Sequence, residues 1–417
     1  MKSEMRSWKI SFSFMFLTCI SFLSAASAGL GAQLSASEWK QDLDFLAKNL
    51  PKAHKNLFFR LSRKDFEAQV RQISKSLPSM TDAEVRVALT KLVASVSDIH
   101  TGIAMGGAWY PIRFMQFSDG FYVRAAPSEF SRAIAARLAG IGELGADEVR
   151  NRLLTLVPLE NSLAEFVFLP GYISSANALR GTHISSGTEE ATFHFEKNGQ
   201  RFSLTLRSLP ANQQGKLLEL PDGAVHELPL YLSDRETNYW FRYLDETRTF
   251  YIQYNSCEEM KSLSFADFTA QAMAVADRKP VERVVVDLRH NKGGANFVIK
   301  PLLAALKARP ALRRKGHFFV LTSHFTMSSA LWNTLDLRHL GAKMVGEPSA
   351  QKPKCYGEAR TFKLPNSGLT VSYATRRYRL IISLSNPAWV APDMLVETTA
   401  HDYFSGRDPV MEWVLSR

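Results

Sequence analysis

Apolar positions in the first quarter of the chain recur every three or four residues, which is the spacing of one face of an α-helix. Three such runs follow one another, and prolines close the first two, at Pro51 and Pro78. The third run begins with Thr81 and Glu84, which have the spacing of a capping box. The pattern predicts a helical cap domain over 29–98, with its first helix ending at Pro51.

The pattern changes to short alternating segments beyond the predicted cap. Residues 120–126, "GFYVRAA", alternate as a half-buried strand does, whereas 146–156 have helical spacing. Asn198 and Gly199 separate two further alternating runs, and this dipeptide favours a tight hairpin turn. We expect an α+β module over 99–215, with substrate binding as its role, followed by a polar link.

Strands and helices alternate in the last part of the chain, 216–417. A hydrophobic strand, "VERVVVDLR", and the strand "HFFVLTS" are each followed by a helical pattern, and helices are predicted over 265–276 and 296–307. This alternation is typical of an α/β layer structure. Its catalytic groups are expected at the strand ends and in the loops that follow them.

The first 28 residues have the pattern of an export signal. Lys2, Arg6 and Lys9 precede an apolar stretch, and an A-x-A cleavage site ends at Ala28. We therefore expect an exported protein, periplasmic or extracellular, without an integral membrane span after cleavage. Removal of residues 1–28 lowers the formal net charge from +11 to +9. A basic exported protein suits anionic envelope surfaces or simple solubility, and the absence of a basic stripe with interleaved aromatic residues argues against nucleic acid as a partner.

Composition and cysteine spacing restrict the chemistry further. The apolar content of 46% and the charged content of 22% are those of a globular protein. Cys257 and Cys355 remain after signal removal, and a disulfide between them is left open. Neither cysteine has metal-ligand spacing, and the chain has no HExxH or Walker-type loop, so we expect no metal and no other cofactor.

Two loops after predicted strands contain residues that suit catalysis. Gly293 and Gly294 follow the strand "VVVDLR" and permit a sharp turn and close backbone approach to a ligand. Ser328 and Ser329 follow the next strand, at a helix start where N–H groups can face an anion. Each feature has a structural alternative: a plain strand-to-helix turn for the glycines, and a helix cap for the hydroxyl residues.

The order of these motifs is more specific than any one of them. "VVVDLRHNKGG", then "SHFTMSSA" and then "VGEPSAQK" resemble the tail-specific, C-terminal-processing serine peptidases and their tricorn-core relatives. "ASVSDIHTGI", "YIQYN" and "VAPDMLVE" extend the resemblance to roughly 85–410. It implies a crotonase-like α/β catalytic domain, a degenerate PDZ-like module over 99–215, and cleavage of polypeptides through an acyl-enzyme.

The resemblance also implies roles for individual residues. Ser328 occupies the nucleophile position, and the N–H of Ser329 contributes to the oxyanion hole. Gly294, or in second place Gly293, supplies the other N–H of that hole.

Two residues are candidates for the base, which a serine hydroxyl requires. Lys352 follows "GEP" as the lysine base does in the tail-specific peptidases, and His100 lies where the tricorn-core relatives have a histidine. We favour His100 because an imidazole needs less adjustment of its pKa than a lysine does. The third catalytic group is left open among Asp393, Glu358 and Asp98.

Two other functions remain open at this point. A peptidase-derived scaffold could bind peptides or hydrophobic ligands without cutting them, and an esterase-like serine hydrolase could use the same nucleophile. The favoured function is an exported serine peptidase without a cofactor.

Overall fold

The computed structural model describes residues 33–213, 215–219, 228–378 and 387–417. The predicted signal peptide over 1–28 and part of the predicted polar link lie outside these ranges. Within them, no helix is long and apolar enough to cross a membrane.

Three amphipathic helices begin the described chain, as the sequence pattern predicts. Capping boxes fix two of their starts, since Ser35 pairs with Glu38 and Thr81 pairs with Glu84. The expected end of the first helix at Pro51 is wrong: the fixed φ of a proline is compatible with helical geometry, and the helix continues past Pro51 to Ala53. The helices are α1 (Ala36–Ala53), α2 (Arg63–Ser76) and α3 (Asp82–Ala94).

The middle of the chain forms an antiparallel sheet with three helices. The sheet order is β3-β4-β5-β7-β8, with β6 paired to β5. Asn198 and Gly199 have φ values of 52° and 75° and join β7 to β8, which confirms the predicted hairpin. The elements are β1 (Gly102–Ile103), β2 (Ala108–Trp109), β3 (Arg113–Phe117), β4 (Gly120–Ala125), β5 (Arg137–Ile141), β6 (Leu144–Gly145), α4 (Ala146–Leu154), α5 (Ala164–Ile173), α6 (Ala176–Gly181), β7 (Glu190–Lys197), β8 (Gln200–Arg207) and β9 (Leu209–Pro210).

The last part of the chain contains a second sheet of six strands in the order β10-β11-β12-β13-β14-β17. Strands β11, β12, β13, β14 and β17 run parallel, and β10 is an antiparallel edge. The elements are α7 (Leu230–Ser233), β10 (Tyr239–Leu244), β11 (Thr249–Tyr254), α8 (Phe265–Ala276), β12 (Arg283–Asp287), α9 (Lys300–Lys307), β13 (Phe318–Thr322), α10 (Ser329–His339), β14 (Lys343–Gly346), β15 (Tyr356–Lys363), β16 (Thr370–Arg377), β17 (Met394–Leu395), α11 (Ala400–Ser405) and α12 (Pro409–Leu415).

The predicted helix over 265–276 matches α8 at both ends. The helix expected over 296–307 begins only at Lys300. The backbone before it is held elsewhere, because the N–H of Ala295 donates to the carbonyl of Cys257. The alternation of strands and helices confirms the expected mixed α/β architecture.

Burial on both faces explains the hydrophobic strands of the second sheet. Val284 and Val286 of β12 face a core with α8 and α9, whereas Val285 faces a second core with α12. Strand β12 pairs with β13 in parallel, with Asp287 opposite Leu321. The loops after β12 and β13 therefore leave the same edge of the sheet.

The helical cap packs onto the hairpin of β15 and β16. Ile103 of β1 pairs with Val371 of β16, and a shared core joins the cap helices to Leu364 and Leu369. Since β1 follows directly after His100, this pairing connects the upstream base candidate to the C-terminal part of the chain.

Candidate active site

Ser328 occupies a strained turn between β13 and α10. Its φ and ψ are 51° and −131°, which L-residues rarely adopt and which a sharp strand-to-helix turn requires. A turn of this kind presents the serine hydroxyl above the end of a sheet in many hydrolases. Its Oγ makes no hydrogen bond within the described part of the chain, and the residue is half-buried.

The structural alternative of a helix cap does not hold for Ser328. It occupies the position before α10, but its side chain accepts no hydrogen bond from the first turn. The hydroxyl of Thr326, two residues earlier, does not cap the helix either, since it donates from Oγ1 to the carbonyl of Leu288. Neither hydroxyl is engaged with the helix start.

The glycine loop lies against this turn. A Cβ built on Gly293 would lie 2.6 Å from the Cβ and 3.1 Å from the Oγ of Ser328, and the φ of Gly293 is +107°. The N–H of Met327 donates to the carbonyl of Asn291 in the same loop. Only a residue without a side chain fits at Gly293. The loop is therefore more than a plain strand-to-helix turn, because it also approaches Ser328 closely.

The N–H groups of Gly294 and Ser329 are the candidates for an oxyanion hole. The carbonyl of Gly293 accepts from the N–H of Cys257, so the N–H of Gly294 points away from Cys257 across the trans peptide. Ser329 Oγ donates to the carbonyl of Gly294 at 2.6 Å. Among the described residues, no acceptor is bonded to the N–H of Gly294 or of Ser329, and both remain available to an anion.

Gly293 does not fit the alternative role that we considered for it. Its N–H donates to Asn291 Oδ1 at 2.9 Å and is not available to a ligand. Gly294 is therefore the better candidate of the two.

Gln351 also binds the turn, and it was not among the candidates from the sequence. Its Oε1 accepts from the N–H of Ser328 at 2.5 Å, and its Nε2 donates to Cys355 Sγ at 2.9 Å. The side chain is fully buried. Gln351 therefore fixes the peptide that carries the candidate nucleophile.

His100 is buried beside Asp98. The N–H of His100 donates to Asp98 Oδ1 at 3.0 Å, and its ring Nδ1 lies 3.8 Å from the same oxygen without a hydrogen-bond partner. Asp98 Oδ2 contacts His54 Nε2 at 3.0 Å and accepts from Thr101 Oγ1 at 2.5 Å. Burial opposes ionisation of Asp98, but the contacts with His100, His54 and Thr101 outweigh it and hold its pKa well below the usual range.

Lys352 follows Gln351 but differs from His100 in its environment. Burial is the main cause of a lowered pKa of its ammonium, and Arg60 lowers that pKa further. Its side chain is only partly buried, so this effect is screened by solvent. Neither Lys352 nor His100 makes a hydrogen bond with Ser328 Oγ within the described residues.

Glu160 connects the loops of the two base candidates. Its Oε1 accepts from the N–H of Lys352 at 3.0 Å, and its Oε2 accepts from the N–H of Ile99 at 3.4 Å. The residue is 5% exposed. Burial and then the charge of Asp98 raise the pKa of Glu160 to about 8, although the two backbone N–H groups act against this rise.

Two of the three acid candidates are engaged with other partners. Asp393 pairs with Arg338 and accepts from the N–H of Met344, and Arg338 lies ten residues along α10 from Ser328, about 15 Å at 1.5 Å per residue. Glu358 is exposed and accepts from Tyr378 and Arg376. Their contacts do not support either residue as the third catalytic group.

Asp98 is the acid candidate that lies beside a base candidate. It is 1% exposed and approaches both ring and backbone of His100. A carboxylate in that position can hold the imidazole in one orientation and tautomer.

Two routes of contact join the histidine loop to the serine turn. One runs from Ile99 through Glu160 to Lys352 and the adjacent Gln351, which binds the N–H of Ser328. The other runs along aromatic rings: those of Trp332, one turn after Ser328, and Tyr378 are 4.6 Å apart. Tyr378 lies against Gly357, and a Cβ on Gly357 would lie 3.9 Å from His100 Cε1. The structure thus brings Ser328, His100, Lys352 and Asp98 into one region.

The two described cysteines do not form a disulfide with each other, and both are buried. Cys257 Sγ contacts the side chains of Asn291 and Asn333, beside the glycine loop. Burial is the main cause of a pKa of Cys355 well above its usual value. Neither thiol has the environment of a nucleophile. Within the described ranges, no group of three or more histidine, cysteine or acidic side chains could hold a metal ion.

Sequence reasoning missed Gln351, Glu160 and His54. None of them belongs to a motif, and their roles depend on contacts between distant segments. The one available signal was weak: Glu160 is a charged residue within the apolar stretch "LVPLENSL".

Comparison with known proteins gives matches among solved structures. No family model matches the chain, and no curated protein matches its sequence. Mature CPAF complexed with lactacystin is 13% identical with a TM-score of 0.60, and the match covers 91% of this chain and 97% of that one. A serine-to-alanine variant of CPAF is 12% identical with a TM-score of 0.60, over 91% and 96% of the two chains.

The photosystem II D1 C-terminal processing protease also matches, at 14% identity over 87% of this chain and 94% of that one. Its TM-score of 0.39 is too low to carry an argument. The match to CPAF extends over nearly the whole of both chains, and it agrees with the resemblance drawn from the motifs. The chain has the fold of mature CPAF.

Proposed function

We propose that the protein is a divergent serine peptidase of the tail-specific type, exported and acting on polypeptides. The observation that carries the proposal is the strained turn at Ser328, which packs against Gly293 and donates its N–H to Gln351. Backbone strain of this kind persists where the surroundings enforce it, and it clusters at active sites. The shared fold with CPAF supports the same function.

Ser328 is the nucleophile in this proposal, and His100 is its base. Asp98 holds the Nδ1 side of the imidazole, which leaves Nε2 to take the proton of the serine hydroxyl. The distance between Nδ1 and Asp98 Oδ1 is 3.8 Å, and in this proposal it shortens when substrate binds, as catalytic hydrogen bonds commonly do.

The reaction then proceeds through two tetrahedral intermediates. Ser328 Oγ attacks the scissile carbonyl, and the N–H groups of Gly294 and Ser329 bind the oxyanion. His100 gives its proton to the leaving amine, which forms the acyl-enzyme, and then activates the water that hydrolyses it. Loss of one donor of such a hole typically costs about 10²–10³ in rate.

The crotonase-like and PDZ-like assignments belong to the same proposal. The largely parallel sheet from β10 to β17 would be the crotonase-like catalytic domain, and the antiparallel sheet from β3 to β8 would be the PDZ-like module. The division into 29–98, 99–215 and 216–417 likewise remains a prediction, as does the signal peptide with export to the periplasm or medium.

Cleavage of a denatured protein tests the proposed function. Wild type and Ser328→Ala would be incubated with unfolded casein, and new peptide termini would be identified by mass spectrometry. Lys363→Ala, a change of an exposed residue at the end of β15, serves as the matched control. We expect cleavage by wild type and control and none by Ser328→Ala.

The other outcomes of this experiment distinguish the two alternative functions. No cleavage of protein together with serine-dependent hydrolysis of an activated ester would indicate the esterase-like hydrolase. No turnover of either substrate, with retained binding of peptide, would indicate the non-catalytic scaffold. Lactacystin, with which CPAF has been solved in complex, is a suitable competitor in the same assays.

A further inference from the structure

The carboxyl group of Glu160 links two loops of the candidate site. It reaches the backbone of two loops that are remote in sequence, at Ile99 and at Lys352. The first loop contains His100, and the second contains Gln351, the partner of the Ser328 N–H. Among the described residues, it is the side chain that bonds to both loops.

We propose that Glu160 is a positioning residue that sets the distance between the base loop and the nucleophile turn, and that it does so in its protonated, neutral form. The proposal rests on the proposed function, because it concerns the alignment of His100 with Ser328. Glu160 touches neither of these residues through its side chain, so its effect on catalysis is indirect.

The charges around Glu160 explain why the neutral form fits. Asp98 is a buried carboxylate nearby, and a second negative charge beside it is unfavourable without a cation. Arg60 donates to the backbone carbonyls of Leu159 and Glu160 from the exposed side, and its charge lowers the pKa of Glu160, but by less than burial and Asp98 raise it. Lys352 contacts Glu160 through its backbone N–H, and Cys355 is a buried neutral thiol.

Deprotonation of Glu160 therefore has a structural consequence. A neutral carboxyl can keep both contacts, to the N–H of Lys352 at 3.0 Å and to the N–H of Ile99 at 3.4 Å. A carboxylate there is repelled by Asp98, whose loop contains the candidate base. Since burial and Asp98 raise the pKa of Glu160 to about 8, this repulsion begins in a range accessible to assays.

Glu160→Gln and Glu160→Ala test the proposal together. Glutamine retains the shape and neutrality of the protonated acid at every pH, whereas alanine removes the link. Glu148→Gln is the matched control, since Glu148 lies on α4 of the same module and pairs with Arg152 at the surface. Labelling of the nucleophile by a fluorophosphonate would be followed from pH 6 to pH 10, and folding of each variant would be checked by thermal melting.

We expect the labelling rate of wild type and of Glu148→Gln to fall at alkaline pH with a midpoint near the pKa of about 8. Glu160→Gln should label at neutral pH at a rate similar to wild type and should lose this alkaline fall. Glu160→Ala should label on the order of 10- to 100-fold more slowly at every pH, because misplacement by about 1 Å can cost as much.

Two results would overturn the proposal. One is an alkaline fall in Glu160→Gln identical to that of wild type, and the other is a folded Glu160→Ala that labels at the rate of the control. If Glu160→Ala does not fold, the pH profile of Glu160→Gln still decides. Absence of labelling in wild type would refute the proposed function instead, so the two failures are distinguishable.

Discussion

Replacement of Gly293 by alanine should disturb the turn at Ser328 more than the addition of a single methyl group usually would. The added Cβ would lie 2.6 Å from Ser328 Cβ and 3.0 Å from Ser329 N, both closer than van der Waals contact. These atoms belong to a backbone turn and its first side-chain carbon, which cannot rotate away. Either the glycine loop or the strained serine must therefore move.

The expected loss of stability in Gly293→Ala has two parts. The φ of +107° costs an alanine about 1–3 kcal/mol in free energy of unfolding, and crowding of a packed site adds about 1–3 kcal/mol. Gly341→Ala separates the parts, because Gly341 has a φ of +102° and open space around a built Cβ. Gly341→Ala should lose only the stability that the positive φ costs an alanine.

Urea unfolding and fluorophosphonate labelling provide the measurements. We expect Gly293→Ala to be about 1–3 kcal/mol less stable than Gly341→Ala and to label on the order of 100-fold more slowly, because the hydroxyl and the two N–H groups shift together. Equal stability of both variants and labelling at the wild-type rate would show that the glycine loop does not enforce the turn.

Three further changes test neighbouring contacts. Gln351→Leu should slow labelling about 10- to 100-fold and lower the free energy of unfolding by about 1–3 kcal/mol, since it removes the acceptor of the Ser328 N–H; an unchanged rate would assign Gln351 to packing alone. Asp408→Ala should lower the free energy of unfolding by about 3–5 kcal/mol, because it removes one of the two carboxylates that pair with buried Arg289; a loss below 1 kcal/mol would contradict this. Asp98, whose pKa is lowered in the folded protein, contributes stability that is complete above the ordinary value of 3.8 and is lost as pH falls below it; Asp98→Asn should flatten this acid loss in unfolding curves, and an identical acid limb would refute the assignment.

Much of the fold could be predicted because its elements depend on local pattern. Helix α8 has a helical period with Ser264 as its cap, and the hairpin of β7 and β8 has an Asn-Gly turn, so both followed from neighbours in sequence. The hairpin of β15 and β16 was not predicted. Its strands have mixed burial, because one face packs on the cap helices and the rest is exposed.

Some residues of the candidate site could likewise be predicted from the sequence, and others could not. Ser328, Gly294 and Ser329 follow the ends of predicted strands, and their proximity follows from the parallel pairing of β12 with β13. The sequence pattern could not show whether Asp393 or Glu358 is the third catalytic group, because the partners of both side chains are set by tertiary packing. Gln351 and Glu160 owe their roles to hydrogen bonds with distant backbone atoms, for which a single sequence has no signal.

The identity of the residue that reacts with a fluorophosphonate tests the central claim most directly. Labelled wild-type protein would be digested, and the modified peptide would be sequenced by mass spectrometry, with Ser328→Ala processed in parallel. We expect one modified site, Ser328, and no label in the variant. Modification of another residue, or equal labelling of Ser328→Ala, would contradict the assignment of Ser328 as the nucleophile.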